Sequence, residues 1–422
     1  MFCFLLAKIL KLCYYKCNNV YNGVQAMLNF NFRSPTYFEF GKGAENTVGT
    51  LITRFGGAEL SGGGKKVLLH YGGGSIKRSG LYDTIVARLR ESGLDFVELG
   101  GAAPNPVSSL VYEGIELCRK ENVGFILAAG GGSAIDSAKA IAAGAVYDGD
   151  FWDFFKDKYV ETALPVGVIL TISAAGSEGS VNAVITNEKT LEKRGCSGEV
   201  LRPVFSVLNP ELTQTLPPYQ TAAGAADIMV HVIERYFSNT AEVEITDRLC
   251  EGVLKTMIYE TPRAILEPDN YGARANIMWA GMVAHNNLCG VGREQDWASH
   301  GMEHELSAFY GATHGAGLAV ICPAWMKYVS RFNLNKCVQF AVRVWDCQMN
   351  FEHPEITAAE GIERFQNFLR KIGMPSSIRD FGAKEEEIPK LARHIGLGEE
   401  RTFGGYVKLN VHDVEEIYRL AL

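Results

Sequence analysis

The pattern of hydrophobic positions changes near residue 210. Before that point, short apolar runs typical of buried strands alternate with stretches of helical periodicity. This alternation predicts parallel βαβ units, and hence an α/β domain with a parallel sheet. The predicted strands are residues 67–71, 94–99, 125–129 and 165–171, and the predicted helices among them are residues 81–91 and 134–145.

Past Pro210, long helical periods replace the strand runs. This change predicts an all-helical second domain. We therefore expect an α/β domain over residues 27–209 and an all-α domain over residues 210–422, with ligands bound in the cleft between them. The predicted helices of the second domain are residues 222–238, 246–266, 273–286, 294–309, 316–329 and 360–372.

Residues 1–26 differ from the sequence that follows. An apolar start is soon interrupted by Lys8, Lys11 and Lys16, so the segment lacks the run of ~18 apolar residues that a spanning helix needs. It also shows no clear signal-peptide pattern. We interpret it as an upstream translation extension that is disordered, or as an artefact, with an amphipathic surface anchor as the alternative.

The composition narrows the class of protein. The 422 residues are 47% hydrophobic and 21% charged, as in ordinary soluble globular proteins. A net charge of −7 offers no broad basic face, so we expect neither nucleic-acid nor membrane partners. The ten cysteines form no C-x-x-C pair, which is typical of a reduced, cytoplasmic protein.

Three polar or glycine-rich loops follow predicted strands. Gly-Gly-Gly-Ser occurs at residues 72–75 and 130–133, and Ser173–Ser177 follows a later strand. Without Cβ atoms, backbone N–H groups can approach phosphate oxygens at the start of a helix. Neither triplet completes G-x-G-x-x-G, and one triplet alone is more often a tight turn. Three loops on consecutive strands nevertheless predict a dinucleotide site at the carboxyl edge of the sheet.

The first loop also indicates which dinucleotide binds. No acidic residue follows Tyr71 in residues 72–78, whereas Lys77 and Arg78 do. NAD sites commonly place a carboxylate on the ribose 2′-hydroxyl, and a 2′-phosphate requires cations instead. We therefore expect NADP(H) to be preferred over NAD(H).

Histidines with one aspartate form a candidate metal site in the helical half. Asp227 and His231 share one helix face, and His300 and His304 repeat the same spacing. His314 follows beside glycines. An aspartate with several histidines on different helices suits Fe(II) or Zn(II). Spacing alone leaves open whether His304 is a ligand or a neighbour. The remaining histidines are interpreted as structural: His70, His285, His353, His394 and His412.

From Met27 onward, the chain resembles the iron-containing (group III) alcohol dehydrogenases, and most of all their NADPH-type butanol dehydrogenase and aldehyde reductase branch. The resemblance covers nearly the whole chain, and its motifs match in order and spacing. The matching segments are 71–75, 104–106, 130–139, 176–178, 216–218, 227–231, 297–306 and 313–315.

The resemblance implies a dehydroquinate synthase-like fold, with a dinucleotide-binding domain followed by a metal-binding domain. It also implies a homodimer that transfers hydride reversibly between NAD(P)H and short-chain aldehydes such as butanal. The implied metal ligands are Asp227, His231, His300 and His314, with His304 as a proton relay. The implied cofactor contacts are Gly72, Gly73, Gly74, Ser75, Asn105, Gly131, Gly132, Ser133, Asp136, Thr171, Ser173, Ser177 and Lys193.

Three other groups of functions remain open from the sequence. A polyol (glycerol-type) dehydrogenase or a dehydroquinate-synthase-like lyase would share the glycine-rich half but alter the ligand set. A metal-dependent phosphohydrolase could use scattered histidines and aspartates, although it would not explain the three loops. A non-catalytic metal- or nucleotide-binding protein is the third alternative.

Overall fold

A computed structural model describes residues 26–57, 60, 64–156, 158–396 and 401–422. The expectation for the amino-terminal extension therefore lies, apart from Ala26, outside the described residues. None of the described helices is both long enough and apolar enough to cross a bilayer.

Strands and helices alternate through the first half of the chain. The strands are β1 (Tyr37–Phe40), β2 (Lys66–Tyr71), β3 (Phe96–Leu99), β4 (Val123–Gly130), β5 (Val166–Leu170), β6 (Asn182–Asn187), β7 (Glu192–Ser197) and β8 (Phe205–Leu208). The helices are α1 (Val48–Phe55), α2 (Ser75–Arg78), α3 (Leu81–Glu91), α4 (Ser108–Lys120) and α5 (Gly132–Ala145).

Within the described part of the chain, six strands form one parallel sheet in the order β1-β8-β5-β4-β2-β3. Helices cover both faces, because alternate residues of a strand point to opposite sides. Leu68 packs in the cluster that contains residues of α4 and α5, whereas Val67 and Leu69 pack with residues of α1 and α3. This doubly covered sheet confirms the α/β class predicted for the first half.

Helices make up the second half. They are α6 (Pro218–Tyr236), α7 (Glu244–Leu266), α8 (Tyr271–His285), α9 (Ala298–Tyr310), α10 (His314–Val329), α11 (Asn335–Arg343), α12 (Pro354–Lys371), α13 (Ile388–His394) and α14 (Val411–Leu420). They enclose a large apolar core in which Trp325 and Phe340 are fully buried. The predicted all-helical half is thereby confirmed.

A two-stranded antiparallel hairpin, β6–β7, lies outside the main sheet. The sequence analysis did not predict it, because its strands are short and rich in polar residues, as in Glu192-Lys193-Arg194. The hairpin matters for the site because Lys193 reaches from it toward the helical half.

Candidate metal and cofactor site

A cavity of about 1110 Å³ lies between the sheet and the helices. One wall consists of the loops that follow β2, β4 and β5, at the carboxyl edge where parallel sheets bind ligands. The opposite wall contains residues of α6, α9 and α10. The cavity therefore brings the glycine-rich loops and the histidine cluster to one place.

The loop between β4 and α5 is shaped for close backbone approach. Gly131, Gly132 and Ser133 line the cavity at the amino-terminal end of α5. A Cβ atom on Gly131 would lie 2.0 Å from Cγ2 of Ile172, so only glycine fits without displacement. The unpaired N–H groups and the positive end of α5 make this wall suitable for an anion such as a pyrophosphate.

The first loop is open and flanked by cations. Gly72, Gly73 and Ser75 line the cavity, and a Cβ on Gly73 would meet no atom within 4 Å. The Lys77 ammonium lies over the Tyr82 ring, 4.7 Å from its centroid. The loop therefore has room for a bulky anionic group.

The third loop is held from behind by buried polar groups. Ser177 donates a hydrogen bond to Asp136, whose other oxygen accepts the Val184 N–H at 3.0 Å. The fully buried Lys139 ammonium donates to the carbonyl oxygens of Ser177 and Ser180 at 2.7 and 3.0 Å. The Asp136 carboxylate thus anchors the loop and the hairpin.

Two predicted cofactor residues lie outside the cavity wall. Gly74 and Ser173 are absent from the lining, whereas Thr171 and Ser177 belong to it. The Ser173 carbonyl oxygen would lie 2.3 Å from a Cβ on Gly224, so the backbone of this residue packs against α6, and its buried hydroxyl has no hydrogen-bond partner. The cofactor roles of Gly74 and Ser173 stay predictions.

Asp227, His300 and His314 converge from three helices. The Nε2 atoms of His300 and His314 lie 3.8 and 3.9 Å from Oδ1 of Asp227. One ligand atom from each of the three residues lies within 4.8 Å of the others. Such a cluster, buried except for the partly exposed His314, can bind one divalent cation.

His231 lies directly beside this cluster. Its Nδ1 is 3.3 Å from Oδ1 of Asp227, and its ring stacks on His300 with centroids 4.5 Å apart. His304 lies one turn after His300 and its ring centroid is 5.8 Å from that of His314. The predicted ligands and the predicted relay therefore all border the same cavity.

Three of the polar atoms that meet here have no hydrogen-bond partner: Asp227 Oδ1, His231 Nδ1 and His300 Nε2. Buried polar atoms normally find partners, and an unpaired group carries a desolvation penalty. A divalent cation bound by these atoms would remove that penalty. The donor set of one carboxylate and imidazoles fits Fe(II) or Zn(II).

The surrounding charges favour a cation at this point. Burial lowers the pKa of His300, but Glu234 and Asp227 outweigh it and raise that pKa to about 9. Burial, followed by its histidine neighbours His285 and His300, holds the pKa of His231 well below its usual value. Metal-free His300 therefore holds a proton that a bound cation would replace, while His231 stays neutral and able to bind a metal.

Lys193 and Asn105 join the two walls. The Lys193 ammonium is 3.0 Å from both Asn105 Oδ1 and Ser307 Oγ, and 3.3 Å from Nδ1 of His314. Asn105 in turn donates to the Ala312 carbonyl at 3.2 Å. Both residues line the cavity, and their polar groups span the gap between hairpin, sheet edge and helices.

Sequence reasoning missed several residues of this site. His285 was interpreted as structural, but its ring centroid lies 4.2 Å from that of His231, and its Nδ1 lies 3.1 Å from the Arg235 guanidinium. Glu234 and Glu303, which bond to His300 and His314, were not singled out. The members of each pair lie on different helices, so no helical spacing could reveal the contact.

A nucleotide-binding sheet edge that faces a buried Asp/His metal cluster across one cleft defines a metal-dependent nicotinamide oxidoreductase. Comparison with known proteins agrees. The iron-containing alcohol dehydrogenase family matches residues 35–210, and the C-terminal part of the Fe-containing alcohol dehydrogenase family matches residues 221–422.

Individual relatives are similar over nearly their full length. The chain is 43% identical to NADH-dependent butanol dehydrogenase A of Clostridium acetobutylicum over 93% of this chain and 99% of that protein. It is 39% identical to the NADPH-dependent aldehyde reductase YqhD of Escherichia coli over 87% of this chain and 93% of that protein. The crystal structure of NADH-dependent butanol dehydrogenase A from Thermotoga maritima superposes with a TM-score of 0.88, at 43% identity over 94% of this chain and 99% of that one.

The chain belongs to the iron-containing alcohol dehydrogenase family. It is an NAD(P)-dependent alcohol dehydrogenase that acts together with a divalent metal.

Proposed function

We propose that this protein interconverts short-chain aldehydes, such as butanal, and their alcohols, with NADPH preferred over NADH. The butanol dehydrogenase and aldehyde reductase names of its relatives support this substrate class. The observation that carries the proposal is the set of unpaired Asp227, His231 and His300 atoms facing the glycine-rich loops across one cavity.

In this proposal, residues 210–422 hold one Fe(II) or Zn(II) through Asp227, His231, His300 and His314. When bound, the ion supplies Lewis acidity toward the oxygen of the aldehyde carbonyl. The four side chains fix its position at the cavity wall opposite the sheet. Residues 27–209 would bind the dinucleotide on the other side of the cleft, and its nicotinamide would supply the hydride.

The chain's own groups orient the cofactor. The N–H groups of Gly131, Gly132 and Ser133 bind the pyrophosphate at the start of α5. Thr171 and Ser177 would line the nicotinamide side, and Lys193 and Asn105 would contact the cofactor from across the cleft. Because Asp136 is already bonded to Ser177 and Val184, it acts by holding the third loop in place.

His304 is proposed to pass the proton that the alkoxide product requires. It is partly buried, and burial together with Lys193 lowers the pKa of its imidazole well below the usual value. A neutral imidazole can accept a proton on one nitrogen and release one from the other. The His304→Ala variant should keep its metal and lose rate, and an unchanged rate would remove His304 from the mechanism.

The preference for NADPH is supported by the first loop. Lys77 and Arg78 follow it, and Gly73 faces open space. The carboxylate of Glu98, at the end of the adjacent strand β3, accepts hydrogen bonds from Tyr71 and Tyr82. Glu98 is therefore engaged with two hydroxyl groups, and in this proposal Lys77 and Arg78 bind the 2′-phosphate.

The Gly73→Asp variant tests this preference. A carboxylate at Gly73 should repel the 2′-phosphate and accept a ribose hydroxyl, so the NADPH/NADH ratio of kcat/KM should fall by about tenfold or more. Gly252→Asp is the matched control, because Gly252 is exposed on α7 and also meets no atom within 4 Å. An unaltered NADPH/NADH ratio of kcat/KM in Gly73→Asp would refute the role of the first loop in cofactor preference.

The direct test of function is an assay on anaerobically purified protein with its metal content measured. Butanal, other short aldehydes and glycerol should be offered with NADPH and with NADH. We expect butanal reduction to be fastest with NADPH. Turnover of glycerol alone would favour the polyol dehydrogenase alternative, and no binding to immobilised nicotinamide nucleotide would argue against any dehydrogenase.

We further propose that the protein is a cytoplasmic homodimer. The described cysteines are free and buried, as in a reducing compartment. Strand β1 is an edge strand of the sheet, and Tyr37 and Phe40 are exposed on it. Light scattering of the purified protein should give twice the chain mass.

A further inference from the structure

Two buried carboxylates lie behind the proposed metal ligands. Glu234 on α6 bonds to Nδ1 of His300, and Glu303 on α9 bonds to Nδ1 of His314. Both carboxylate side chains are fully buried. A buried carboxylate is costly unless it is well paired, so these contacts restrain the imidazole rings as well as the acids.

The contact fixes which ring nitrogen carries the proton. A neutral imidazole has one N–H, and an ionised carboxylate can only accept a hydrogen bond. With the proton on Nδ1, the lone pair is on Nε2. The Nε2 atoms of both rings lie on the side of Asp227, at 3.8 and 3.9 Å from its Oδ1.

Each carboxylate is itself held by further groups. Glu234 also accepts the backbone N–H of His300 at 3.1 Å, so it anchors both the ring and the start of α9. Glu303 accepts a hydrogen bond from Ser307 and lies 3.5 Å from the Lys193 ammonium of the β6–β7 hairpin. The rings are therefore oriented before any metal binds, and a metal bound at Nε2 takes the place of any proton there.

His231 differs from the other two histidines. Its Nδ1 has no hydrogen-bond partner, and its ring is placed by stacking on His300 and by a tilted contact with the His285 ring. The described contacts thus provide two carboxylate-supported histidines and one that is positioned by packing.

We propose that Glu234 and Glu303 are positioning residues of the metal centre, each fixing the tautomer in which Nε2 of its histidine faces the metal position. This proposal rests on the metal-binding role assigned above. Carboxylates that support ligand histidines typically strengthen metal binding by about 10–100-fold.

Zinc affinity of the full-length protein tests the proposal by competition with a chromophoric chelator. Glu234→Gln and Glu303→Gln should each raise the dissociation constant for Zn(II) by about 10–100-fold. Glu305→Gln is the matched control. Glu305 is also a buried glutamate of α9 paired with a histidine, His394 at 2.6 Å, but it lies away from the cavity lining. Its affinity should stay near that of the wild type.

The outcomes separate this proposal from the proposed function. If the wild type binds one zinc ion and both site variants bind as tightly as Glu305→Gln, the positioning role is overturned while the metal site stands. If the wild type binds no zinc, both ideas fail. Nitrogen NMR of histidine-labelled, zinc-loaded wild type gives a test without any substitution. The Nδ1–H form of two zinc-bound rings supports the proposal, and the Nε2–H form in both overturns it.

Discussion

Asp227 is the residue on which the site depends most. Its Oδ1 is buried, lacks a hydrogen bond and lies within 4 Å of ring nitrogens from His231, His300 and His314. An ionised carboxylate in this setting is unfavourable unless a cation binds it. The position of this atom is therefore energetically unfavourable in the metal-free protein, and we propose that it binds the divalent ion.

The Asp227→Ala variant should lose its metal and its activity together. Metal analysis and kinetics measure the two quantities. Asp148→Ala, at an exposed aspartate, is the control. Retained metal and turnover in Asp227→Ala would show that the ligand assignment is wrong.

A second histidine environment gives a pH-dependent prediction. His70 is fully buried, with Nδ1 2.9 Å from the Leu99 carbonyl and Nε2 2.6 Å from Ser137 Oγ. Burial lowers the pKa of His70 to about 4 from an ordinary value of 6.5. Since the unfolded chain binds this proton more tightly, stability decreases as the pH falls from 6.5 toward 4, by about 3 kcal/mol in all.

Replacing His70 by Gln keeps polar atoms near both partners and removes the titration. The unfolding free energy of metal-free His70→Gln should therefore change less between pH 7 and pH 5 than that of the wild type, by about 2 kcal/mol. The contributions of other titrating groups are common to both proteins and cancel in the comparison. If the unfolding free energies of the two proteins changed in parallel with pH, the buried, neutral state of His70 would be contradicted.

The sequence allowed individual residues to be predicted only where chemistry and spacing coincided. Asp227 and His231, one helical turn apart, could be picked out as a pair and do lie together. His285 could not, because it contacts His231, Arg235 and Trp297 only through the packing of α8 against α6 and the segment before α9.

Helix α6 links the third loop of the sheet to the proposed metal-binding residues. Gly224 faces the third loop so closely that a Cβ would lie 2.3 Å from the Ser173 carbonyl oxygen. Asp227 and His231 follow on the same helix, one and two turns later. The distance between the loop and the metal position is thus set by a contact that only glycine permits.

The Gly224→Ala variant should push α6 away from the loop. We expect a loss of about 1–3 kcal/mol of stability from overpacking, together with weaker metal and cofactor binding. The matched Gly252→Ala variant, at an exposed position of α7, should instead gain about 0.5–1 kcal/mol from helix propensity. Thermal unfolding and metal content measure both. If the two variants changed equally in thermal stability and metal content, the close contact at Gly224 would be contradicted.

Elements with long and uniform patterns were predictable, and irregular ones were not. The apolar run of β4 and the helical period of α10 placed both elements to within three residues. Helix α9 begins at Ala298 rather than at the predicted 294, because residues 294–297 form the turn in which Asp296 accepts the N–H groups of Trp297 and Ala298. Because the short Asp296 side chain bonds to these backbone groups, the segment is not helical although its hydrophobic pattern has a helical period.

The two halves of the chain are arranged around one cleft, and polar contacts cross it. Lys193 donates to Ser307, and Asn105 donates to the carbonyl of Ala312. The α/β and all-helical classes could be predicted from the hydrophobic pattern. The cross-cleft contacts depend on the hairpin that contains Lys193 and on the backbone turn at Asn105, for which the pattern gives no signal.

The central claim is that one divalent ion, bound in the helical half, is required for hydride transfer from a nicotinamide held over the sheet. The most direct measurement is a titration of metal-stripped protein with Fe(II) or Zn(II) while NADPH-dependent butanal reduction is followed. The account predicts that the rate rises to a plateau at one equivalent per chain and that Asp227→Ala shows no rise. Full turnover by protein shown to contain no metal would contradict it.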